Sequence, residues 1–236
     1  PVSESRTPQP QPVDHAILGA VGRGEHPLPH DVLGAHVLDG VVTFRTRRPL
    51  AESVTYRVLQ PGGEVVDVPA AHELDGVWVA AVEAETVPDY RIEVVYDGAA
   101  SVVDDPYRFL PTLGDVDRHL LAEGRHERLW EVLGAHVRTF PSALGEVHGA
   151  SFAVWAPNAS AVRVIGDFNG WDGPSGSMRS LGSTGVWEVF VPGAGEGSRY
   201  KYEIRYADGS WHEKADPMAR ATEVPPSTAS VVAHDS

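Results

Sequence analysis

The sequence predicts an all-β protein built from two antiparallel β-sandwiches in tandem, joined by a short helical connector. Three observations lead to this prediction. The chain repeats itself at a spacing of about 100 residues, each copy alternates apolar and polar residues with a period of two, and turn dipeptides separate the alternating runs. With 236 residues, the chain has room for two modules of the usual sandwich size, roughly 100 residues each.

The repeat extends over most of the chain. Six residues, VLGAHV, occur at 32–37 and again at 132–137, an offset of 100. Toward the C-terminus the offset increases slowly, as short insertions in turns would cause. It is 108 from Phe44 to Phe152, 109 from Trp78 to Trp187, 110 from Tyr90 to Tyr200 and 111 from Asp105 to Asp216. The two copies are therefore expected to share one fold.

Each copy is predicted to consist of strands. In the second copy Phe152, Val154 and Ala156 alternate with Ala153 and Trp155, the pattern of a strand with two different faces. Turn dipeptides follow such runs at Pro157-Asn158, Asn169-Gly170, Pro192-Gly193 and Asp208-Gly209. Short strands with turns every 8 to 12 residues or so are typical of an immunoglobulin-like antiparallel sandwich.

The repeat also divides the chain. We expect a disordered tail over 1–13, a degenerate first sandwich over 14–111, a helical connector over 112–140 and a second sandwich over 141–233. Within the connector, apolar residues from Asp115 to Leu133 have helical spacing, with Gly134 as the C-terminal cap. This segment is predicted to pack against its surroundings and not to act as a flexible linker.

Composition excludes several partners. The formal net charge of −14 would repel phosphate backbones and anionic lipids, so we expect neither nucleic acid nor a membrane surface as partner. The absence of cysteine excludes disulfides and thiolate metal ligands, and fits a cytoplasmic location. The polar, proline-rich start indicates a disordered tail and not a signal peptide. A neutral partner is the expectation.

Several chemical signals have simpler explanations. The histidines His26, His30 and His36 could suggest a metal site, but Pro27 and Pro29 prevent the helical spacing that would bring the first two together. The acidic pairs Asp104-Asp105 and Asp115 with Asp117 lie at a turn and a helix start, where capping is their common use. We therefore expect no metal, no cofactor and no catalytic residue in this chain.

The second copy contains motifs that resemble a known family. The stretch FAVWAPNASAVRVIGDFNGWDG (152–173), followed by GVWEVFVPGAGEGSRYKYEI and KADPMA, is similar to the family 48 carbohydrate-binding modules of α-amylase-family enzymes. The upstream copy ending DDPYRFLP and the segment GDVDRHLLAEGRH make the layout resemble the amino-terminal half of bacterial glycogen branching enzymes. Such enzymes transfer α-1,4-glucan segments to α-1,6 positions, using carboxylates in a (β/α)8 barrel. No eightfold strand–helix alternation is present here, so that chemistry is expected elsewhere.

The resemblance and the local sequence point to the same candidate glucan-contacting residues. The turn Asn169-Gly170 would present Trp171 at a loop tip, and Trp211 follows the Asp208-Gly209 turn. Flat aromatic rings suit the C–H faces of sugars. By resemblance Lys201 would donate to sugar hydroxyls, and Asn169 could assist or simply form the turn.

Comparison of the copies supports these candidates. The first copy has Leu59 to Glu64, without an aromatic residue, in place of GDFNGWD, and Ala100 or Ser101 opposite Trp211. Contact with a ligand is therefore favoured for Trp171 and Trp211 over core packing, which is the alternative role for both. Trp155 and Trp187 lie within strand patterns and are predicted to pack in the core.

Three functional alternatives are open at this point. The first is a non-catalytic glucan-binding and chain-positioning region of a branching enzyme, with the catalytic barrel of the same protein and α-1,4-glucan as partners. The second is a stand-alone glycogen-binding regulatory or scaffold protein. The third is the front end of a debranching or trehalose-releasing hydrolase. Sequence beyond Ser236 would distinguish them.

Overall fold

The computed structural model describes residues 7–111, 118–119, 123–124, 129–219, 221–223 and 227–233. The connector was predicted over 112–140, and about half of its predicted helix, 115–133, lies outside these residues. The last part of the connector, Gly134–Phe140, is the first strand of the second sandwich, because it pairs with the strand that follows, so this sandwich begins before the predicted boundary at 141. Two α-helices have both ends among the described residues, α1 (His15–Gly22) and α2 (Leu129–Val132). The strands of the first copy are β1 (Gly34–Leu38), β2 (Val41–Arg47), β3 (Ser53–Leu59), β4 (Val65–Pro69), β5 (Ala71–Leu74), β6 (Val77–Glu83), β7 (Tyr90–Tyr96) and β8 (Ala99–Val103). Those of the second copy are β9 (Gly134–Phe140), β10 (Val147–Trp155), β11 (Ala161–Gly166), β12 (Arg179–Ser180), β13 (Val186–Pro192), β14 (Arg199–Arg205), β15 (Trp211–Lys214), β16 (Ala221–Thr222) and β17 (Ser230–Val231).

Strands β1 to β8 form the first sandwich. One sheet has the order β1-β2-β6-β5 and the other the order β4-β3-β7-β8, and all pairs are antiparallel. The core lies between them, because one face of each sheet is apolar. Phe44 from one sheet contacts Tyr56 and Tyr90 from the other, with ring centroids 4.8 and 4.9 Å apart. The prediction of an antiparallel sandwich is confirmed for this copy.

Strands β9 to β17 form the second sandwich. One sheet has the order β12-β13-β10-β9, and the other has β11-β14-β17-β16, with β15 also paired to β14. Phe152 of the first sheet meets Tyr200 of the second at 4.9 Å between centroids. Trp187 is buried here and its Nε1 donates to the carbonyl of Ala156. The all-β prediction is thus confirmed for both copies, and so is the core position of Trp187.

Each sandwich contains the same buried pair of a tyrosine and an aspartate. Tyr90 Oη donates to Asp105 Oδ2 at 2.7 Å, and Tyr200 Oη donates to Asp216 Oδ2 at 2.6 Å. The other carboxylate oxygen accepts a backbone N–H two residues later, from Tyr107 and Met218 respectively. Burial raises the pKa of both aspartates above its usual value, and these hydrogen bonds oppose that rise.

The two sandwiches are joined by direct contacts. Tyr107 Oη donates to the carbonyl of Ser177 at 3.2 Å, and Arg179 Nη2 donates to the carbonyl of Phe109 at 2.9 Å. The Phe109 ring also contacts Phe190, with centroids 4.7 Å apart. The segment that ends the first sandwich is therefore part of the contact with the second.

Part of the predicted tail packs against the first sandwich. Gln11 lies in the segment predicted as a tail, yet its carbonyl accepts a hydrogen bond from Arg45 Nη2 at 2.6 Å, so we place the boundary of the first sandwich before Gln11.

No helix among the described residues is long and apolar enough to cross a membrane.

His30 is a packed histidine. Its ring lies edge-on to Tyr107, with centroids 4.9 Å apart, and both ring nitrogens are buried. Burial lowers its pKa from 6.5 to about 2, helped by the positive charge of Arg179 and by His36. The described residues contain no cluster of three or more potential metal ligands of the His, Cys, Asp or Glu type.

The first prediction concerns the tyrosine–aspartate pair. Replacing Tyr200 by phenylalanine leaves a buried carboxylate without its shortest hydrogen bond, which should cost about 1–3 kcal/mol of unfolding free energy. Urea unfolding measures this loss. Tyr206→Phe, at a half-exposed position, is the control and should change stability by less than about 0.5 kcal/mol. Equal losses in the two variants would contradict the role assigned to the pair.

The second prediction concerns pH. Below pH 6.5 His30 binds a proton in the unfolded state, but in the folded state it stays neutral down to about pH 2. The free energy of unfolding should therefore fall as the pH falls through that range. The slope is at most about 1.4 kcal/mol per pH unit. His30→Phe should reduce the loss of stability between pH 7.5 and 5, measured by urea unfolding. The exposed-site control His15→Gln should keep the wild-type slope, and a His30→Phe slope equal to the wild type would refute this account.

Candidate functional site

The candidate site lies on the outer face of the sheet formed by β11, β14 and β15. Along β14 burial alternates, with Tyr200, Tyr202 and Ile204 turned to the core. Lys201 therefore lies on the opposite, outer face. Trp211 of β15 pairs with Arg205 of β14 and shares that face. The sheet thus brings two of the predicted residues to one surface.

A compact loop after β11 carries Trp171. We call residues 166–177 the Trp171 loop. It begins with a short 3₁₀ helix (Asp167–Asn169), after which Gly170 and Trp171 both adopt left-handed backbone conformations, with φ of 64° and 59°. A bulky residue rarely adopts this conformation, which costs roughly 1–2 kcal/mol. The loop holds the strained tryptophan in a position where 37% of its surface is exposed.

Asn169 is the residue that closes this loop. Its Oδ1 accepts from the N–H of Gly166 at 3.0 Å, and its Nδ2 donates to the carbonyl of Val164 at 2.9 Å. The side chain therefore ties the loop to the end of β11. Of the two roles open for Asn169, these contacts favour turn formation.

Asp167 connects the loop to β14. Its carboxylate accepts hydrogen bonds from the backbone N–H, Nε and Nη2 of Arg199, at 2.9, 3.2 and 3.1 Å. These bonds hold the pKa of Asp167 below its usual value. The same carboxylate accepts from Trp171 Nε1 at 3.3 Å, so the indole is oriented by a fixed anion.

Trp211 stacks on a buried arginine. The guanidinium carbon of Arg163 lies 3.6 Å from the centroid of the Trp211 ring, a close cation–π contact. Arg163 also faces Glu203, with Nη1 and Oε1 3.6 Å apart. Burial lowers the pKa of Arg163, and the Glu203 carboxylate opposes this shift. One face of the indole is therefore supported by protein.

Lys201 lies beside these groups. Its Nζ is 3.9 Å from Glu213 Oε2, and about a quarter of the lysine side chain is exposed. At this distance the pair is loose, and the ammonium can reach other acceptors. The structure thus places Lys201 on the same outer face as Trp211.

The Trp171 loop folds back toward Trp211. Two residues after Trp171, a Cβ placed on Gly173 would lie 2.3 Å from Glu203 Oε1 and 2.8 Å from Arg163 Nη1. Arg163 in turn supports Trp211. The Trp171 loop therefore lies, at Gly173, against the same arginine–glutamate pair that supports Trp211.

The first sandwich lacks this arrangement for a structural reason. In place of the Trp171 loop it has a tight β3–β4 hairpin, in which Leu59 pairs with Val65 and the N–H of Gln60 bonds to the carbonyl of Glu64 at 2.7 Å. At the place of Trp211 it has the small, exposed residues Ala100 and Ser101 of β8.

Trp155 is a surface residue that the sequence analysis assigned to the core. That prediction was wrong, because 60% of its surface is exposed. Trp155 is the last residue of β10, where the strand passes the edge of the core. It lines a cavity of about 420 Å³ whose polar lining includes Asn158, Tyr206 and Lys214. The neighbouring turn dipeptide Pro157-Asn158 was the signal that could have placed it at a surface.

The carboxylates near the candidate site already have partners. Asp167 is held by Arg199, Glu203 faces Arg163, and Glu213 lies near Lys201. Retaining glycoside transfer needs two carboxyl groups about 5 Å apart, one of them free to act as nucleophile. The described part of this face offers aromatic surface and hydrogen-bond donors, which are means of holding a ligand.

Two family models match the chain. Residues 132–219 match the model described as carbohydrate-binding module 48 (isoamylase N-terminal domain). Residues 14–107 match the model described as alpha-1,4-glucan branching enzyme GlgB, N-terminal domain. The first match covers the candidate site and the Trp155 cavity.

Curated relatives show the same similarity over both parts. The chain is 55% identical over 225 residues to the 1,4-alpha-glucan branching enzyme GlgB of Thermobifida fusca, covering 94% of this chain and 30% of the relative. It is 53% identical over 226 residues to GlgB 1 of Streptomyces coelicolor, covering 96% and 28%. The chain thus spans about three tenths of the length of these relatives.

A solved structure of a pullulanase from Bacillus acidopullulyticus overlaps 85% of this chain and 27% of its own, at 18% identity and a TM-score of 0.37. That overlap is too low to carry any conclusion about function.

Proposed function

Because residues 14–107 belong to the branching-enzyme N-terminal domain family and residues 132–219 to the family 48 carbohydrate-binding modules, we propose that this region binds α-1,4-glucan chains and does not cleave them. The ligand class is glycogen, amylose or maltooligosaccharides. In a full-length branching enzyme, the region would position these chains for a catalytic (β/α)8 barrel that forms α-1,6 branches. The relatives' printed names support this larger assignment.

The observation that carries the proposal is the placement of Trp171. Its strained backbone and exposed ring are maintained by Asn169, which ties the loop to β11, and by Asp167, which accepts from the indole Nε1 and from Arg199 of β14. Strained backbone persists only where the surrounding structure holds it, and such residues cluster at ligand-binding and catalytic sites. A glucan offers flat C–H faces for the ring, and it is neutral, so the net charge of −14 does not oppose its approach.

Trp211 and Lys201 complete the proposed contact surface. Arg163 supports the Trp211 ring from behind, so that the ring's other face is available for stacking. Lys201 would donate to sugar hydroxyls from the same outer face of the sheet. With two aromatic rings and few hydrogen bonds, the dissociation constant for maltoheptaose should be roughly micromolar to millimolar.

A second contact surface for the same ligand is proposed at the Trp155 cavity. The exposed indole, the Tyr206 ring and the Lys214 ammonium provide one stacking face with polar groups beside it. Lys214 Nζ lies 5.6 Å from the Tyr206 centroid, so both groups face the same opening. A long glucan could therefore be held at two places on one module.

Location and other partners follow from the ligand. We propose a cytoplasmic location, with which the cysteine-free composition is compatible. Nucleic acid and anionic membranes are not expected partners, because the chain carries 33 acidic residues against 19 lysines and arginines.

The third prediction tests the main surface. Trp171→Ala should remove the retardation of this chain in a native gel that contains glycogen, because it deletes the exposed stacking ring. Maltoheptaose titration should show a loss of affinity of about fivefold to 150-fold, since a stacked ring contributes about 1–3 kcal/mol. Leu50→Ala, which removes another exposed apolar side chain, is the control and should migrate like the wild type. If folded Trp171→Ala is retarded as strongly as the wild type, Trp171 is not a glucan-contacting residue.

The fourth prediction tests the second surface. Trp155→Ala should weaken binding to glycogen, which can occupy both surfaces, more than binding to maltotriose, which can occupy only one. Gel retardation gives the first affinity and isothermal titration the second. Trp155→Phe keeps an aromatic face and should retain most of the binding. If Trp155→Ala binds both ligands like the wild type, the cavity has no part in glucan binding.

A further inference from the structure

The first sandwich reaches directly under the candidate site of the second. Arg163, which supports Trp211, donates from Nε to the carbonyl of Gly24 at 2.8 Å and from Nη2 to the carbonyl of Arg23 at 2.6 Å. Both carbonyls belong to the turn after α1 in the first sandwich. Arg163 is itself buried, so the direction of its guanidinium is set by these two acceptors.

Arg47 makes a parallel connection to the Trp171 loop. It lies at the end of β2, and its Nε donates to the carbonyl of Gly22 at 2.6 Å. Its Nη1 donates to Ser175 Oγ at 3.3 Å and is 3.6 Å from Asp172 Oδ2. One arginine of the first sandwich thus holds both its own α1 turn and the loop that carries Trp171.

The two sandwiches also lie close together at Gly24. Gly24 has a φ of +68°, and a Cβ added there would lie 2.6 Å from Pro174 Cα in the Trp171 loop. No other residue type fits this position without moving the loop or the turn. The turn 22–25 is therefore in contact with both supports of the candidate site, the Arg163 side chain and the Trp171 loop.

We infer that the first sandwich supports the glucan site structurally, with Arg163 and Arg47 as positioning residues. The inference rests on the proposed function. It gives the degenerate copy a role that does not require the copy to bind glucan itself. The turn 22–25 fixes Arg163 against one face of Trp211, and Arg47 fixes the Trp171 loop, so both rings are oriented before the ligand arrives.

The expected consequence is a loss of affinity when this support is removed. When a side chain becomes ordered only on binding, the binding free energy is less favourable by about 0.5–1.5 kcal/mol. This corresponds to a dissociation constant that is roughly twofold to tenfold higher. The loss should appear even though no altered residue touches the ligand. It should also depend on the tryptophans that the support orients.

The first experiment compares two glycine substitutions in the first sandwich. Gly24→Ala and Gly98→Ala both place a Cβ on a left-handed residue, with φ of +68° and +75°, but only Gly24 has a backbone atom within reach of the new Cβ. In isothermal titration with maltoheptaose, Gly24→Ala should bind roughly twofold to tenfold more weakly than Gly98→Ala. Circular dichroism checks that both variants fold.

The second experiment is a double-mutant cycle and stands even if Gly24→Ala fails to fold. Arg163→Gln should weaken maltoheptaose binding in the wild-type background, and should add little in a Trp211→Ala background, because it acts through that ring. Asp89→Ala is the control. It removes a different contact between the sandwiches, the 2.9 Å bond from the N–H of Ala143 to Asp89 Oδ2, and should leave binding unchanged.

The outcomes separate this inference from the proposed function. If the wild-type chain does not bind glucan, or Trp171→Ala binds equally well, the proposed function fails. If the wild type binds and Trp171→Ala does not, while folded Gly24→Ala and Arg163→Gln bind like the wild type, the inference is overturned. Equal losses from Arg163→Gln with and without Trp211 would overturn the positioning role of Arg163.

Discussion

The fold depends on a buried hydrogen bond between a tyrosine and an aspartate, made once in each sandwich. An unpaired carboxylate in an apolar core would be strongly destabilising, so the pairs Tyr90–Asp105 and Tyr200–Asp216 fix where each chain segment returns to its core. In the first sandwich the turn after Asp105 also carries Tyr107 toward the second sandwich, where its hydroxyl bonds to a backbone carbonyl. Closing one core and joining two sandwiches are therefore achieved by one turn.

With the cores closed in the same way, the two copies differ where the fold permits it, at the outer face and its loops. The first copy connects β3 to β4 by a hairpin that satisfies its own backbone groups. The second copy replaces this hairpin with the longer Trp171 loop, which requires Asn169 and Asp167 to satisfy the backbone and Arg47 to hold its far end. A loop of this kind is stable only beside a surface that supplies those partners, and the first sandwich supplies one of them.

Sequence patterns predicted the tandem sandwiches because period-two alternation and turn dipeptides are local properties, and the repeat gave each assignment twice. They also predicted that Trp187 is buried. They failed for Trp155, because alternation tells which residues share a face but not whether a neighbour covers the strand end. The role of Arg163 could not be predicted from sequence at all, since its acceptors lie 139 and 140 residues away in the chain. The connector was predicted to end at 140, but residues 134–140 form β9, because strand pairing with β10 extends the second sandwich toward the N-terminus.

The charge distribution on the candidate face follows from the same contacts. Three basic residues on this face form ion pairs with carboxylates: Arg163 with Glu203, Lys201 with Glu213 and Arg199 with Asp167. Arg163 also donates from Nε and Nη2 to two backbone carbonyls of the first sandwich, which carry no net charge. Opposite charges thus lie close together on this face, and at physiological ionic strength such pairs are screened beyond about 8 Å. Selectivity must then come from contact with flat apolar rings and a few polar groups, which is the form of recognition that a neutral polymer of sugars allows.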